Sequence, residues 1–300
     1  MKAITYTEFG GPEVLRLDEV EEPHAGPGQV RLKVVAAGVN PVDHKIRNGW
    51  MPHMSPALPA VPGLEAAGVV DEVGEGVTGV SVGDEVLGWT TTGAYAEYAL
   101  ATDFAAKPAT LDWDVAAALP VAVETSVRVL DALEVKEGDT LLLHGAAGVV
   151  GAVAVQLAVA RGATVLGTAS PANHDYLRSL DATPLAYGEG LATRVRAAAP
   201  QGVDAVLDAA GADDLPMSID LRGGTDRIIT IADPRAAELG IPFSGGGSGP
   251  FGSRLASYAR LVADGQLTVR VARSFSLADA ARAQEVSAGG HAAGKLVLRP

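Results

Sequence analysis

The sequence predicts an α/β protein of two lobes, one a compact β-barrel-like body and the other a parallel, doubly wound sheet. Three observations carry this expectation. Up to about residue 120 the chain holds short apolar or alternating runs broken by Gly and Pro, the texture of closely spaced strands. Beyond Pro120 strand-like and helix-like runs alternate, which predicts βαβ units. The third is the stretch Asp139-Thr-Leu-Leu-Leu-His-Gly-Ala-Ala-Gly-Val-Val-Gly151, a strand, a glycine turn and a helix start in succession.

In the first lobe, Ala3–Tyr6 reads as a strand and Val30–Val35 alternates apolar and polar residues as a half-buried strand does. Gly68–Val73 and Asp84–Leu87 follow, separated by the turn-rich Gly74–Gly79, and Tyr95–Leu100 is another strand. Val121–Leu133 looks helical, and Lys136–Asp139 turns into the strand Thr140–Leu143. From Val149 to Ala160 only Gln156 is polar, so this helix is expected to be buried on most sides.

Alternation then continues: strand Ala163–Ala169, helix Asn173–Leu180, strand Pro184–Tyr187, helix Leu191–Ala199 and strand Ala205–Ala209. A short helix near Asp213–Leu221 and strand Ile228–Ala232 come next. Phe243–Phe251 is too rich in glycine for regular structure and is expected to be a loop. Helix Arg254–Ala263, strand Leu267–Val271, helix Leu277–Ser287 and strand Lys295–Leu298 close the chain, the two strands returning to the first lobe.

The glycines Gly145, Gly148 and Gly151 are spaced G-x-x-G-x-x-G. Such a turn puts backbone N–H groups and the positive end of a helix where a pyrophosphate can sit. The first glycine permits the turn, the middle one lets phosphate approach, and the last packs helix on strand. With Ala163–Ala169 completing a βαβ unit of about thirty residues, the stretch reads as a dinucleotide site. A turn serving packing alone is the bland alternative.

A formal net charge of -13 argues against binding a phosphate backbone, so no nucleic-acid partner is expected. The absence of cysteine excludes disulfides, a thiolate-held zinc and a thiol nucleophile. The six histidines include no pair at metal-ligand spacing. No apolar run reaches membrane length and Met1 leads straight into a strand, so a cytoplasmic protein without a membrane partner is expected. Gly245–Gly249 carries Gly-x-Ser-x-Gly without a strand before it or a helix after it, and is no nucleophile elbow.

Seven stretches together resemble the zinc-free branch of the medium-chain dehydrogenase/reductase superfamily, the quinone oxidoreductase and enone reductase group. They are Ala37–Asp43, Pro62–Val70, Val82–Val86, Leu119–Ala122, the glycine loop, Asp208–Gly211 and Gly294–Leu298. The resemblance implies a GroES-like catalytic domain from residues 1–120 and 264–300, around an NADP-binding Rossmann domain at 121–263. It also implies a homodimer, NADPH as cofactor and a small enone or quinone as substrate.

Zinc-dependent members carry a Cys where this chain has Asn40 and a His where it has Leu64. An open catalytic zinc needs three good ligands, and Glu65 alone does not supply them, so no metal is expected. The Ser/Thr and His of those enzymes' proton relay correspond to Val42 and Lys45. Around the glycine loop Val149 stands where relatives have a further glycine. Val123-Glu-Thr-Ser-Val127 lacks an aromatic common in them, and tyrosines of some relatives correspond to Lys45 and Met51.

An NAD site shows an acidic residue about twenty positions past the glycines. Here Thr168-Ala-Ser170 is uncharged, with Asn173 and His174 close behind, so Thr168, Ser170, Asn173 and His174 are candidates for a 2′-phosphate. Two roles are open to Asn173, since it could equally cap its helix. On the resemblance, Gly145, Ala147, Gly148, Val149, Val150 and Gly151 hold the pyrophosphate, while Ile231, Phe243 and Ser244 lie along the cofactor.

In the absence of a metal, the nicotinamide carries the redox work and the protein supplies position and electrostatics. Negative charge developing on a carbonyl oxygen needs a donor, and Asn40 at the lost metal-ligand position is the first candidate, against a plain loop role beside Pro41. Lys45 and Thr125 are catalytic candidates near the nicotinamide ribose, against a solvated lysine and a helix-start threonine. Trp89, Tyr95 and Phe243 are candidates for the substrate wall, against core packing. The altered glycine loop also leaves room for a non-redox role within the same family.

Overall fold

The computed structural model describes residues 1–246, 249–290 and 292–300. The chain forms two compact units, Met1–Val121 with Gly249–Pro300, and Ala122–Ser248. The first unit contains the strands β1 (Lys2–Thr5), β2 (Arg16–Glu19) and β3 (Val30–Val39), helix α1 (Pro41–Arg47), and strands β4 (Glu65–Val73), β5 (Glu85–Thr90) and β6 (Tyr98–Ala106). Helices α2 (Trp113–Ala117) and the beginning of α3 (Leu119–Ala132) follow.

The sheet β3-β4-β5-β6 is antiparallel and closes on itself, because β3 pairs with both β4 and β6. Closure leaves no free edge among these four strands, which blunts their tendency to pair with other chains. Val30, Leu32, Val70, Val86 and Ala101 from its four strands pack in one cluster, and a second cluster of the unit gathers Tyr6, Val34, Tyr95, Phe275 and Leu298.

The second unit runs β7 (Thr140–His144), α4 (Val149–Ala160), β8 (Thr164–Ala169), α5 (His174–Ser179), β9 (Thr183–Ala186), α6 (Leu191–Ala198), β10 (Ala205–Asp208), α7 (Leu215–Arg222) and β11 (Ile228–Thr230). Its sheet is parallel throughout, in the order β11-β10-β7-β8-β9. The chain starts at the middle with β7, winds outward to β9, then returns to add β10 and β11 on the other side. That Rossmann-type order puts a topological switch point beside β7, where ligands of such sheets bind. Leu141 and Leu143 pack in one core cluster with α4, and Leu142 packs in the other with α6 and α7, so the strand is buried on both faces.

The chain closes with α8 (Gly252–Ala263), β12 (Val271–Ser276), α9 (Ala280–Ala288) and β13 (Lys295–Arg299). Both strands belong to the first unit's sheet, β13 antiparallel to β3 and β12 parallel to β13. The boundary differs from the expected residue 264, because α8 already belongs with the first unit. Asp103 in β6 accepts the Phe251 and Gly252 N–H groups, each at 2.7 Å, and so ties down the start of α8.

The expected strand Leu267–Val271 is likewise corrected to Val271–Ser276. Leu267 is buried at the end of α8, its N–H on Leu261 O, so its apolar character reflects helix-end packing. The expected strand from Tyr95 begins only at Tyr98. The described part of the Phe243–Phe251 loop lacks regular structure up to Gly246 apart from one bridge, Thr230 to Phe243; Gly247 and Ser248 lie outside the described residues.

Candidate active site

In the second unit, β7 gives way to the glycine loop at Gly145, whose φ of +74° is left-handed and suits glycine. Gly151 lies inside α4, and a Cβ there would come within 2.3 Å of Gly145 O. Its absence lets the helix lie against the loop. Gly148 is different: it caps α4 in an extended conformation, is exposed, and a Cβ would meet only Gly145 O, at 3.3 Å. The N–H groups of the following residues, Val149 and Val150, start a twelve-residue helix and have no partner within it. An open glycine under the positive end of a helix fits an anionic pyrophosphate.

Thr168, a candidate for the cofactor, lies behind the glycine loop. It is buried, and its hydroxyl accepts the Gly145 N–H at 3.2 Å while its carbonyl accepts Ala146 N–H at 3.1 Å. Thr168 therefore props the loop up from behind. Asn173 Nδ2 donates to Ser170 Oγ at 3.1 Å and makes no side-chain cap for α5. Neighbouring His174 has a buried Nε2 with no hydrogen-bond partner among the described residues.

Thr125 and Ser244, chosen from separate parts of the sequence, are brought together by Arg128. Its guanidinium pairs with Glu124 at 2.7 Å, donates to Ser244 Oγ, and reaches Thr125 Oγ1 at 3.5 Å. The i,i+4 spacing of Glu124 and Arg128 on a helix is the signal that could have found it. Ser244 N–H in turn bonds Thr230 O at 2.9 Å, setting Phe243 and Ser244 alongside the end of β11, and Phe243 is 40% exposed there. Ile231, half-buried just beyond β11, gives its N–H to Asp208 O at 2.9 Å. Ala147 is half-buried and packs on the core.

His144, Ser218 and Asp214 resemble a hydrolytic triad but cannot act as one. Ser218 is fully buried, and its hydroxyl donates to Asp214 O at 2.8 Å, so His144 Nε2 must donate to it. Burial holds the His144 imidazole below its ordinary range.

In the first unit the centre is a buried ion pair. Asn40 stands at the junction of β3 and α1, Glu65 begins β4 and Lys295 begins β13, and none is more than 6% exposed. Lys295 Nζ donates to Asn40 Oδ1 at 2.7 Å and to Glu65 Oε1, while Asn40 Nδ2 donates to Glu65 Oε1 at 2.7 Å. Glu65 Oε2 accepts Val121 N–H at 2.7 Å in the first turn of α3, an orphan donor that a carboxylate suits. Gly38 leaves the room: a Cβ there would lie 2.4 Å from Glu65 Oε1.

Asn40 N–H goes to Asp43 Oδ2 at 2.8 Å, and Tyr95 Oη donates to that same oxygen at 2.8 Å. Tyr95 is fully buried, so it does not wall a substrate cleft and that expectation is corrected. Its ring looked like a wall only because a buried carboxylate partner is invisible in sequence. Trp89, half-buried on β5, meets Phe251 edge-on at 5.9 Å. Lys45 is half-buried on α1, and its carbonyl accepts Trp50 N–H at 2.9 Å.

Two family descriptions match this chain: the alcohol dehydrogenase GroES-like domain at residues 26–109 and the zinc-binding dehydrogenase at residues 180–298. The quinone oxidoreductase of Rattus norvegicus is 36% identical over 248 residues, covering 80% of this chain and 75% of that protein. The chain belongs to the quinone oxidoreductase group of the medium-chain dehydrogenase/reductases. Within the same group, the chloroplastic NADPH-dependent alkenal/one oxidoreductase of Arabidopsis thaliana is 36% identical over 239 residues, covering 75% of this chain and 61% of that one. The Escherichia coli quinone oxidoreductase complexed with NADPH superposes with a TM-score of 0.88 at 27% identity, each chain covered completely. The closed sheet of the first unit is thus a GroES-like barrel.

Zinc, named in one matching description, does not fit the donor set of this member of the group. Asn40 Oδ1 and Glu65 Oε1 both face the Lys295 ammonium, and Glu65 Oε2 faces an N–H. Each side-chain oxygen of Asn40 and Glu65 already takes a donor, and the Lys295 cation sits between two of them.

Proposed function

We propose that the protein is an NADPH-dependent, zinc-independent reductase that delivers hydride to a quinone or an α,β-unsaturated carbonyl compound. The observation that carries this reading is the Lys295 ammonium between Asn40 and Glu65. It leaves hydrogen-bond donation, rather than metal polarisation, as the means of handling a carbonyl oxygen. The named activities of the rat and Arabidopsis relatives, and the NADPH held by the E. coli enzyme, support the same reading.

The residues for the cofactor are Gly148 with the N–H groups of Val149 and Val150 for the pyrophosphate, and Ser170, Asn173 and His174 for the 2′-phosphate. When bound, NADPH supplies the hydride. Asn40 Nδ2 carries two hydrogens, one of which is given to Glu65, and the second is the donor for a substrate oxygen as charge builds on it. Thr125 and Ser244, fixed by Arg128, contribute to the cofactor's nicotinamide end. A homodimer and a cytoplasmic location complete the proposal; among the described residues no helix is long and apolar enough to cross a membrane.

The test is NADPH oxidation by the purified protein against a panel of quinones and enones, with and without a zinc chelator. Turnover unaffected by the chelator supports the reading. Turnover of no panel member, or turnover lost on chelation, rejects it.

A further inference from the structure

Burying an ammonium and a carboxylate together is seldom a gain in stability over apolar side chains of the same volume. The Lys295–Glu65 pair has another use. An asparagine amide has an acceptor end and a donor end that are nearly equal in shape, and its neighbours decide which way it faces. Lysine can only donate and glutamate can only accept. With Lys295 Nζ on Oδ1 and Glu65 Oε1 on Nδ2, the amide of Asn40 has one permitted orientation. The backbone is fixed as well, through Asn40 N–H on Asp43 Oδ2.

We infer that Lys295, with Glu65 as its counter-charge, is the positioning residue that orients the Asn40 amide so that one Nδ2–H remains for the substrate oxygen. This rests on the reductase reading above. Lys295 itself has no need to meet substrate; it acts through the amide. A donor already aligned need not reorganise as charge develops, which is where such donors gain their effect on rate. Three distant segments must meet for this, the end of β3, the start of β4 and the start of β13. The closing strand of the chain thus completes the site.

The experiment uses the full chain and whichever quinone or enone the wild type turns over. kcat, NADPH affinity by fluorescence and melting temperature are measured for Asn40→Ala, Lys295→Met, Lys295→Arg and the double variant Asn40→Ala/Lys295→Met. Lys295→Met is expected to lower kcat by about tenfold to a hundredfold, as for a partner that orients a site group rather than the donor itself, with little change in NADPH affinity. Lys295→Arg should recover part of that loss. In the double variant kcat should be no lower than in Asn40→Ala alone, since a residue that acts through the amide has nothing left to orient.

If Lys295→Met does not fold, Glu65→Gln/Lys295→Met replaces it, which leaves no lone buried carboxylate, and the same kcat pattern is expected. Effects that multiply in the double variant of an active enzyme overturn the positioning role alone, as does a Lys295→Met kcat within about threefold of wild type. A wild type that turns over no substrate overturns this inference together with the reductase reading.

Discussion

Lys295 Nζ donates to Asn40 Oδ1 across 2.7 Å, joining residues 255 positions apart in the chain. The contact sets the amide's direction and bars a metal from the same oxygens.

Asn40→Ala is expected to lower kcat for quinone or enone reduction by about a hundredfold while leaving NADPH affinity close to wild type. The donor matters only once charge appears on the substrate oxygen, so its loss falls on the transition state. Steady-state kinetics paired with melting curves checks this. A variant that melts lower but turns over within about threefold of wild type would reduce Asn40 to a structural part.

Gly148→Val should fold yet lose the thermal shift that NADPH gives the wild type. A Cβ there meets only Gly145 O, at 3.3 Å, a tight contact that a shift of a few tenths of an ångström relieves, and the rest of the side chain enters the space where the pyrophosphate is proposed to lie. Val149→Gly should keep the shift. An undiminished shift in Gly148→Val would show that the loop serves packing alone.

NADPH should bind more tightly than NADH, by a modest margin. The turn after β8 offers the neutral donors of Ser170 and Asn173, with the half-buried His174 side chain next in the chain, and neutral hydrogen bonds have about half the strength of charge-assisted ones. Fluorescence titration of both cofactors tests it, and His174→Ala should narrow the gap. Equal affinities in the wild type would place the 2′-phosphate elsewhere.

Metal analysis of the purified protein should find no stoichiometric zinc, for the reasons given at the Lys295 contact. One tightly held ion per chain, released only with loss of activity, would contradict it.

Stability should carry a pH signature from Asp43. Burial pushes its carboxyl up to about 6, from an ordinary value of 3.8, although the Asn40 and Tyr95 hydrogen bonds and the Lys295 charge pull downward. Between those values the folded state holds a proton that the unfolded state releases, so this contribution grows as pH falls from about 6 towards 3.8. The span is on the order of 3 kcal/mol. Asp43 Oδ1 has no hydrogen-bond partner among the described residues, so it can take the proton without costing either Oδ2 bond. His44 works in the opposite sense: burial lowers it to about 4, and stability is lost as pH falls from 6.5 towards that value. Comparing wild type with Asp43→Asn isolates the first effect. The wild type should gain melting temperature relative to the variant as pH is lowered from 7 to about 4.5; a constant difference would mean that Asp43 does not titrate there.

The fold was legible where the periodicity was unbroken. Val149–Ala160 is apolar nearly all round and is found as a helix with those bounds. Helix α1 was not seen, because seven residues opening on Pro41 and carrying four charged or titratable side chains give no apolar stripe. The glycine loop was legible because its chemistry is local. The ion pair was not: Lys295 reads as an ordinary strand-start lysine until folding sets it against Glu65, 230 positions away. The partners of Thr168 and Tyr95 were hidden for the same reason, as each hydroxyl bonds a residue from another part of the chain.

The Lys295 contact also makes the departure from metal chemistry hard to reverse one codon at a time. Asn40→Cys would set a thiol against an ammonium that disfavours any incoming cation. Removing Lys295 first would strand the Glu65 carboxylate in a dry interior, at about 3–5 kcal/mol, a large part of what a typical domain has to spare. Leu64→His helps neither intermediate. Either single change thus leads through a destabilised intermediate, and a designer who wants a metal at this place must change all three positions together.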